Sequence, residues 1–204
     1  MEKFLKNLKD FEIESKSMDI IENEVNLSGF SSLEKEIVKR VIHATADFEY
    51  KDTLKFHPQA ISLALKNLKE EKNILVDVEM LRAGISKRFL GKIKVLCYLD
   101  KIKNYETTRT EKAIELALKK EKNLGIVAIG NAPTALLKAI EIFQKKEIKN
   151  IVLIGLPVGF VNAFSAKLLL SKQDFPYITN LSRKGGSPAT AAVINALLKL
   201  KEIF

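Results

Sequence analysis

LGIVAIGNAPTALLKAIEIFQKKEIKNIVLIGLPVGF, residues 124 to 160, holds two apolar runs of strand length on either side of one amphipathic helix. Both runs are rich in β-branched residues and lack polar alternation, as expected of strands covered on both faces. The same rhythm extends outward in both directions. NILVDVE (73–79) and IKVLCYL (93–99) precede it, and PYITNL (176–181) follows. Helical patterns fill the gaps: TRTEKAIELALKKE (108–121), APTALLKAIEIFQKKE (132–147), VNAFSAKLLLSK (161–172) and SPATAAVINALLKLKEI (187–203). The first link, MLRAGISKRFLGK (80–92), has room for little more than two helical turns. Alternation at this spacing predicts a three-layer α/β/α fold, with a five-stranded parallel sheet and right-handed crossovers over residues 73–204.

Residues 1–72 read as mainly helical. SSLEKEIVKRVIHA (31–44) opens on a capping box, Ser31 three before Glu34, and places Leu33, Ile37, Val41 and Ala44 on one face. HPQAISLALKNLKEE (57–71) has Pro58 suited to a first helical turn. No repeat beyond the strand–helix rhythm and no low-complexity linker interrupts the chain, so residues 1–204 read as one domain.

Composition narrows the function classes. The net charge of +9 comes almost wholly from lysines interleaved with glutamates on helical polar faces, without a dense basic block and its aromatics. That is the pattern of a solvated surface more than of a nucleic-acid stripe. The N-terminal MEKFLKNLKDFEIESKS is too charged for a secretory leader, and the longest apolar run, Ile151 to Val161, is too short to span a bilayer. The single cysteine, Cys97, lies in an apolar run and reads as a buried, reduced thiol. A cytoplasmic protein is expected. Arginines are few (Arg40, Arg82, Arg88, Arg109 and Arg183), and a rare forked donor is the better candidate for holding carboxylates.

Ligands of an open parallel sheet gather at the carboxyl ends of its strands. Here the third strand runs into Gly130, Asn131, Ala132, Pro133 and Thr134, and the fourth into Gly155 and Pro157. The last runs into Arg183, Lys184, Gly185, Gly186 and Ser187, with Ser187 a candidate N-cap before Pro188. Three such loops on one edge suggest a site for an anionic ligand at backbone amides and a helix start. None has the spacing of a GxxxxGK[ST] or GxGxxG phosphate loop, and no GxSxG elbow is present. The two histidines, His43 and His57, form no metal-binding pattern. His57 reads as a surface residue at a helix start.

RVIHATADFEY (40–50), VDVEMLRAGI (76–85), TTRT (107–110), VAIGNAPTALL (127–137), IGLPVGFVNA (154–163) and SRKGGSPATAAVINAL (182–197) resemble, in order and spacing, the precorrin-8X methylmutase family and its cobalt-precorrin-8 counterpart. SMDIIENE (17–24) resembles the family's opening segment, so the likeness covers nearly the whole chain. It implies a flavodoxin-like homodimer with sites near the subunit interface. It also implies an isomerase of vitamin B12 biosynthesis that moves a methyl group from ring carbon 11 to ring carbon 12 of a tetrapyrrole, giving hydrogenobyrinate or its cobalt form. The family's catalytic histidine falls on His43, and its ligand-contacting residues on Ser17, Arg40 and Arg109. Where relatives commonly read GFVGAAESK, this chain has Asn162, Phe164, Ser165 and Ala166 at the differing positions. The difference bears on the pocket after the fourth strand.

The chemistry suits a lone histidine. The migration is internal to the macrocycle, so no cofactor need carry the group, and any cobalt belongs to the substrate. What is needed is an oriented ring and a proton lent and recovered, which an imidazole can supply near neutral pH. On a helical wheel His43 falls beside Glu36 and Lys39, off the apolar stripe. The helix C-terminus and the substrate's carboxylates favour its charged form, while Arg40 opposes it. Thr45, Asp47, Glu49 and Asp77 are further candidates around it. Pro133, Pro157 and Phe160 could wall the ring, and Arg109 and Arg183 could bind its acid arms. The rival readings are a non-catalytic tetrapyrrole binder, a nucleic-acid module, and a flavin or nucleotide carrier.

Overall fold

The computed structural model describes residues 10–203. Residues 1–9, part of the charged N-terminal stretch, lie outside them. The helical first part holds α1 (Asp10–Glu24), α2 (Ser32–Thr45) and α3 (Tyr50–Thr53), then a short strand β1 (Leu54–Phe56) and α4 (Ala60–Lys69). The alternating part begins with β2 (Asn73–Val76), α5 (Glu79–Gly84), β3 (Val95–Cys97) and α6 (Arg109–Lys120). It continues through β4 (Leu124–Ile129), α7 (Pro133–Lys145), β5 (Val152–Gly155), α8 (Ala163–Leu170), β6 (Tyr177–Asn180) and α9 (Ser187–Ile203).

The five expected strands are present, and a sixth joins them. The sheet order is β1-β6-β5-β4-β2-β3, parallel except for β1, which runs antiparallel to β6 with Leu54 opposite Asn180. Counting the parallel strands alone gives the flavodoxin-like order, with its reversal between β2 and β4. The handedness rule then assigns the helices. The step from β2 to β3 runs one way along the sheet and all later steps run the other way. Right-handed crossovers therefore send α5 to one face and α6, α7 and α8 to the opposite face.

Strand side chains divide accordingly. Ile74, Val76, Ile126, Ala128, Val152 and Ile154 join the core under α1, α2, α4, α5 and α9, while Leu75, Val127, Ile129 and Leu153 join the core under α6, α7 and α8. On α2 the buried stripe is Ile37, Val38, Val41 and Ile42. Ala44, expected on it, is instead exposed. The Ser31–Glu34 capping box forms as expected, and Ala46 closes the helix in the left-handed conformation.

At the reversal point the Asp77 carboxylate accepts the backbone N–H groups of Gly130 (3.1 Å), Asn131 (2.8 Å) and Ala132 (3.0 Å). Ala132, the N-cap of α7, has no side-chain cap of its own, so Asp77 caps that helix from a neighbouring strand. Burial pushes the Asp77 carboxyl up from its ordinary value, and the three amides pull it back toward the charged form. Asp77→Asn keeps the shape but turns an amide toward these donors. It should lower the unfolding free energy by about 2–3 kcal/mol in urea titration, the scale of hydrogen bonds to a charged group.

Candidate active site

His43 stands in the last turn of α2, exposed, on the wall of a cavity of about 370 Å³. α2 contributes Arg40, His43 and Ala44; α5 contributes Met80 and Gly84; α9 contributes Ser187, Pro188, Ala191, Ala192 and Asn195. Small residues make this junction possible. A Cβ on Gly84 would come within 3.0 Å of the Ala191 Cβ. Asn195 pins it, accepting from the Ser86 amide at 2.8 Å and donating to the Gly84 carbonyl at 3.0 Å. No described residue hydrogen-bonds the His43 imidazole, which leaves the ring open to the cavity.

Arg40 and Asn195 also line a larger trough of about 790 Å³ bounded by Ser15, Met18, Arg88, Phe89 and Lys199. Glu14 of α1 sits there between cations, 2.6 Å from Arg40 and 3.0 Å from Lys199. The Lys199 hydrogen bond, with Arg40 beside it, holds the Glu14 carboxyl below its ordinary value.

The sequence-derived residues divide into three groups. Arg40, His43 and Ser187 meet in the cavity. Ser187 lies one position inside the helix, because the Thr190 amide bonds to the Gly186 carbonyl and makes Gly186 the cap. α9 therefore lines the cavity with one side of its first turns, from Ser187 to Asn195.

A second group builds the frame. Gly130 lets Thr190 and Ser187 pack closely, since a Cβ there would lie 2.9 Å from the Thr190 hydroxyl. Gly155 is packed against Leu136 and Leu170, and Gly185 (φ +151°) lies flat on the Leu156–Pro157 backbone. Asn131 and Ala132 spend their amides on Asp77. Cys97 is half-buried, and burial pushes its thiol up to about 11.

The third group lies away from the cavity or is already engaged. Arg109 donates to the Leu99 carbonyl at the start of α6, and the Thr134 hydroxyl meets that of Thr108 at 2.7 Å, both on the far face with Pro133. Ser17 and Thr45 turn their hydroxyls back to their own helices, at the carbonyls of Ile13 and Val41. Arg183 lies over the exposed Phe160 ring, 5.8 Å from its centre. His57 is half-buried at the end of β1, edge-on to Tyr177.

Lys184, expected to meet substrate carboxylates, instead pairs with Asp47 at 2.7 Å and Glu49 at 2.8 Å. Glu49 also accepts from the Ser182 hydroxyl. This cluster ties the loop before α9 to the segment that follows His43. Lysines elsewhere are paired in the same way, as with Lys138 to Glu111 and Glu141. Arg88, one of the few arginines, does line the trough, and the site residues missed in the sequence are Met80, Gly84, Asn195 and Lys199. Asn195 alone left a signal, a polar side chain within the otherwise apolar VINALL.

Fold and site together define a flavodoxin-like α/β protein with an open imidazole beside a trough lined by Arg40, Arg88 and Lys199 and by Glu14 and Glu202. Comparison with known proteins narrows this. The precorrin-8X methylmutase family model matches residues 12–200. The cobalt-precorrin-8 methylmutase of Priestia megaterium is 41% identical over 194 residues, covering 91% of this chain and 86% of that protein. That of Methanocaldococcus jannaschii is 37% identical, covering 91% of each. The crystal structure of a precorrin-8X methylmutase from Thermus thermophilus superposes with a TM-score of 0.83 at 37% identity, covering 94% of this chain and 98% of that one. The chain belongs to the precorrin-8X methylmutase family, isomerases of cobalamin biosynthesis.

Two outcomes test this geometry. Asn162, one of the departures from the family pattern, sits at φ 61° before α8, a left-handed position that asparagine tolerates nearly as well as glycine. Asn162→Gly should leave stability within a few tenths of a kcal/mol, and Asn162→Ala should lower it by about 1 kcal/mol. The second outcome concerns the Lys184 cluster. Burial, the largest single influence, would raise the Asp47 carboxyl, but the Lys184 hydrogen bond, the Glu49 amide and the Lys184 charge together outweigh it; Lys184 and then Ser182 likewise hold Glu49 down. Both carboxyls therefore titrate below their ordinary values of 3.8 and 4.5. Their stabilisation is complete above those values and is lost as pH falls through the lowered ones. Stability–pH curves of wild type and Lys184→Met should run apart near neutrality and converge in acid.

Proposed function

We propose that this chain moves a methyl group from ring carbon 11 to ring carbon 12 of cobalt-precorrin-8 or precorrin-8X, with His43 as proton donor and acceptor. The observation that carries this reading is the uncommitted imidazole, open to a cavity that it shares with Arg40 and the first turns of α9, next to a trough that holds Arg40 and Lys199. The cobalt form is the first substrate to test, because the P. megaterium and M. jannaschii relatives carry that name.

The step is an isomerisation. The bond from methyl to carbon 11 breaks as the bond to carbon 12 forms, and ring π electrons shift to match. His43 lends a proton that makes the ring electron-poor and recovers it afterwards, so nothing is gained or lost. Metal and cofactor have no part in this step beyond the cobalt the substrate carries. Arg40 and Lys199 would take acid arms of the macrocycle in place of Glu14, as bidentate and point-charge partners respectively. Met80 and the small side chains of α9 offer the ring an apolar surface.

The working form in this reading is a cytoplasmic homodimer. Phe160 (87% exposed) and Val161 (78% exposed) beside the loop before α9 support an apolar subunit contact there. Paired lysines speak against a nucleic-acid partner, and no described helix is long and apolar enough to cross a membrane.

His43→Ala should reduce methyl-shift turnover by roughly 10²–10⁴-fold, the usual worth of a general acid–base group, while the variant still binds hydrogenobyrinate. Turnover can be followed by the change in absorption as the corrinoid forms. Undiminished turnover would remove His43 from the mechanism; full loss of binding would make it a ligand contact instead.

A further inference from the structure

Lys167 of α8 is completely buried, and no described carboxylate lies within ion-pair distance of it. Its Nζ donates to the Lys184 carbonyl at 2.6 Å and to the Asn180 side-chain oxygen at 3.2 Å. An ammonium sealed away without a counter-ion is costly, and burial pulls this one down to about 8. A methionine or leucine would fill the same space at less cost. Packing therefore gives no reason for a lysine here.

The contacts give one. The Lys184 carbonyl takes a second bond from Asn180 Nδ2 at 2.9 Å, so it is held twice from below. The side chain of the same residue reaches the other way, to Asp47 and Glu49 just beyond His43. The next residues lie flat: Gly186 donates to the Leu156 carbonyl, and a Cβ on Gly185 would sit 2.2 Å from that oxygen. From there the chain enters α9 at Ser187, on the wall of the His43 cavity.

We infer that Lys167 is a positioning residue for this site: with Asn180 it anchors Lys184, which sets both the start of α9 and the Asp47–Glu49 segment relative to His43. The inference rests on the reading that this trough binds a corrinoid, and it adds a residue that touches neither the ligand nor His43.

The test is titration of hydrogenobyrinate into wild type, Lys167→Met and Asn180→Asp, read by absorption alongside thermal melting. Lys167→Met removes an uncompensated buried charge, so it should melt at or above the wild-type temperature at neutral pH. It should nonetheless bind at least roughly ten-fold more weakly, the scale of losing hydrogen bonds from a charged donor. Asn180→Asp is isosteric, draws the ammonium to itself and deletes the amide donor to Lys184. It should fold and show the same weakening, which keeps the test open should the methionine variant not fold. A lower melting temperature with unchanged affinity would make Lys167 merely structural, and unchanged affinity in both variants would overturn the inference. Failure of the wild type itself to bind would strike the functional reading first, a distinguishable result.

Discussion

One carboxylate at the reversal of strand order fills the place where a fold of this kind usually takes an anion. In an open parallel sheet the crevice between the two central strands is the default place for an anion, because loop amides and a helix start converge there. Here Asp77 already occupies it, accepting three amides from residues 130–132. The protein supplies its own anion, and a phosphate or carboxylate ligand would have to displace it and leave a buried acid unpaired. That cost falls on any nucleotide or flavin phosphate as well, so a nucleotide-carrier reading of this fold loses its usual foothold. The cavity that His43 opens to lies on one face instead, where the end of α2 meets the start of α9.

That meeting is built from close approach. Gly130 and Gly84 bring α9 against β4 and α5 by their lack of a side chain, and Asn195 locks the α5 end with two hydrogen bonds. The loop before α9 is then tied on both sides, to Lys167 and Asn180 below and to Asp47 and Glu49 above. None of these ties involves His43 or Arg40. The supporting polar groups bond to one another, and the imidazole stays uncommitted. Among the described residues Arg40 is held only by Glu14 on α1, an exchangeable carboxylate partner.

Much of this layout was legible in the chain. The five parallel strands and the crossover helices follow from uniform apolar runs and helical periodicity, both local signals. The antiparallel edge strand β1 was not legible, since Leu54–Phe56 is three residues long, has Lys55 at its centre and is defined only by pairing with β6. Loop chemistry was legible as position but not as partner. GNAPT reads as an anion cradle until Asp77, some fifty residues earlier, turns out to fill it, and Lys184 reads as a ligand contact until Asp47 and Glu49 take it up. Arg109 and Thr134 are divided from His43 by the sheet itself, because crossover handedness places α6 and α7 on the far face. Asn195 and Lys167 owe their roles to distant backbone groups that no local pattern reveals.

The most direct measurement is the position of the macrocycle in a crystal structure with hydrogenobyrinate bound. The account places the ring against Arg40, His43, Ser187 and Asn195, with the three Asp77 bonds intact. A ring seated instead over Gly130–Ala132, with Asp77 displaced from those amides and His43 remote from it, would contradict the account at its root.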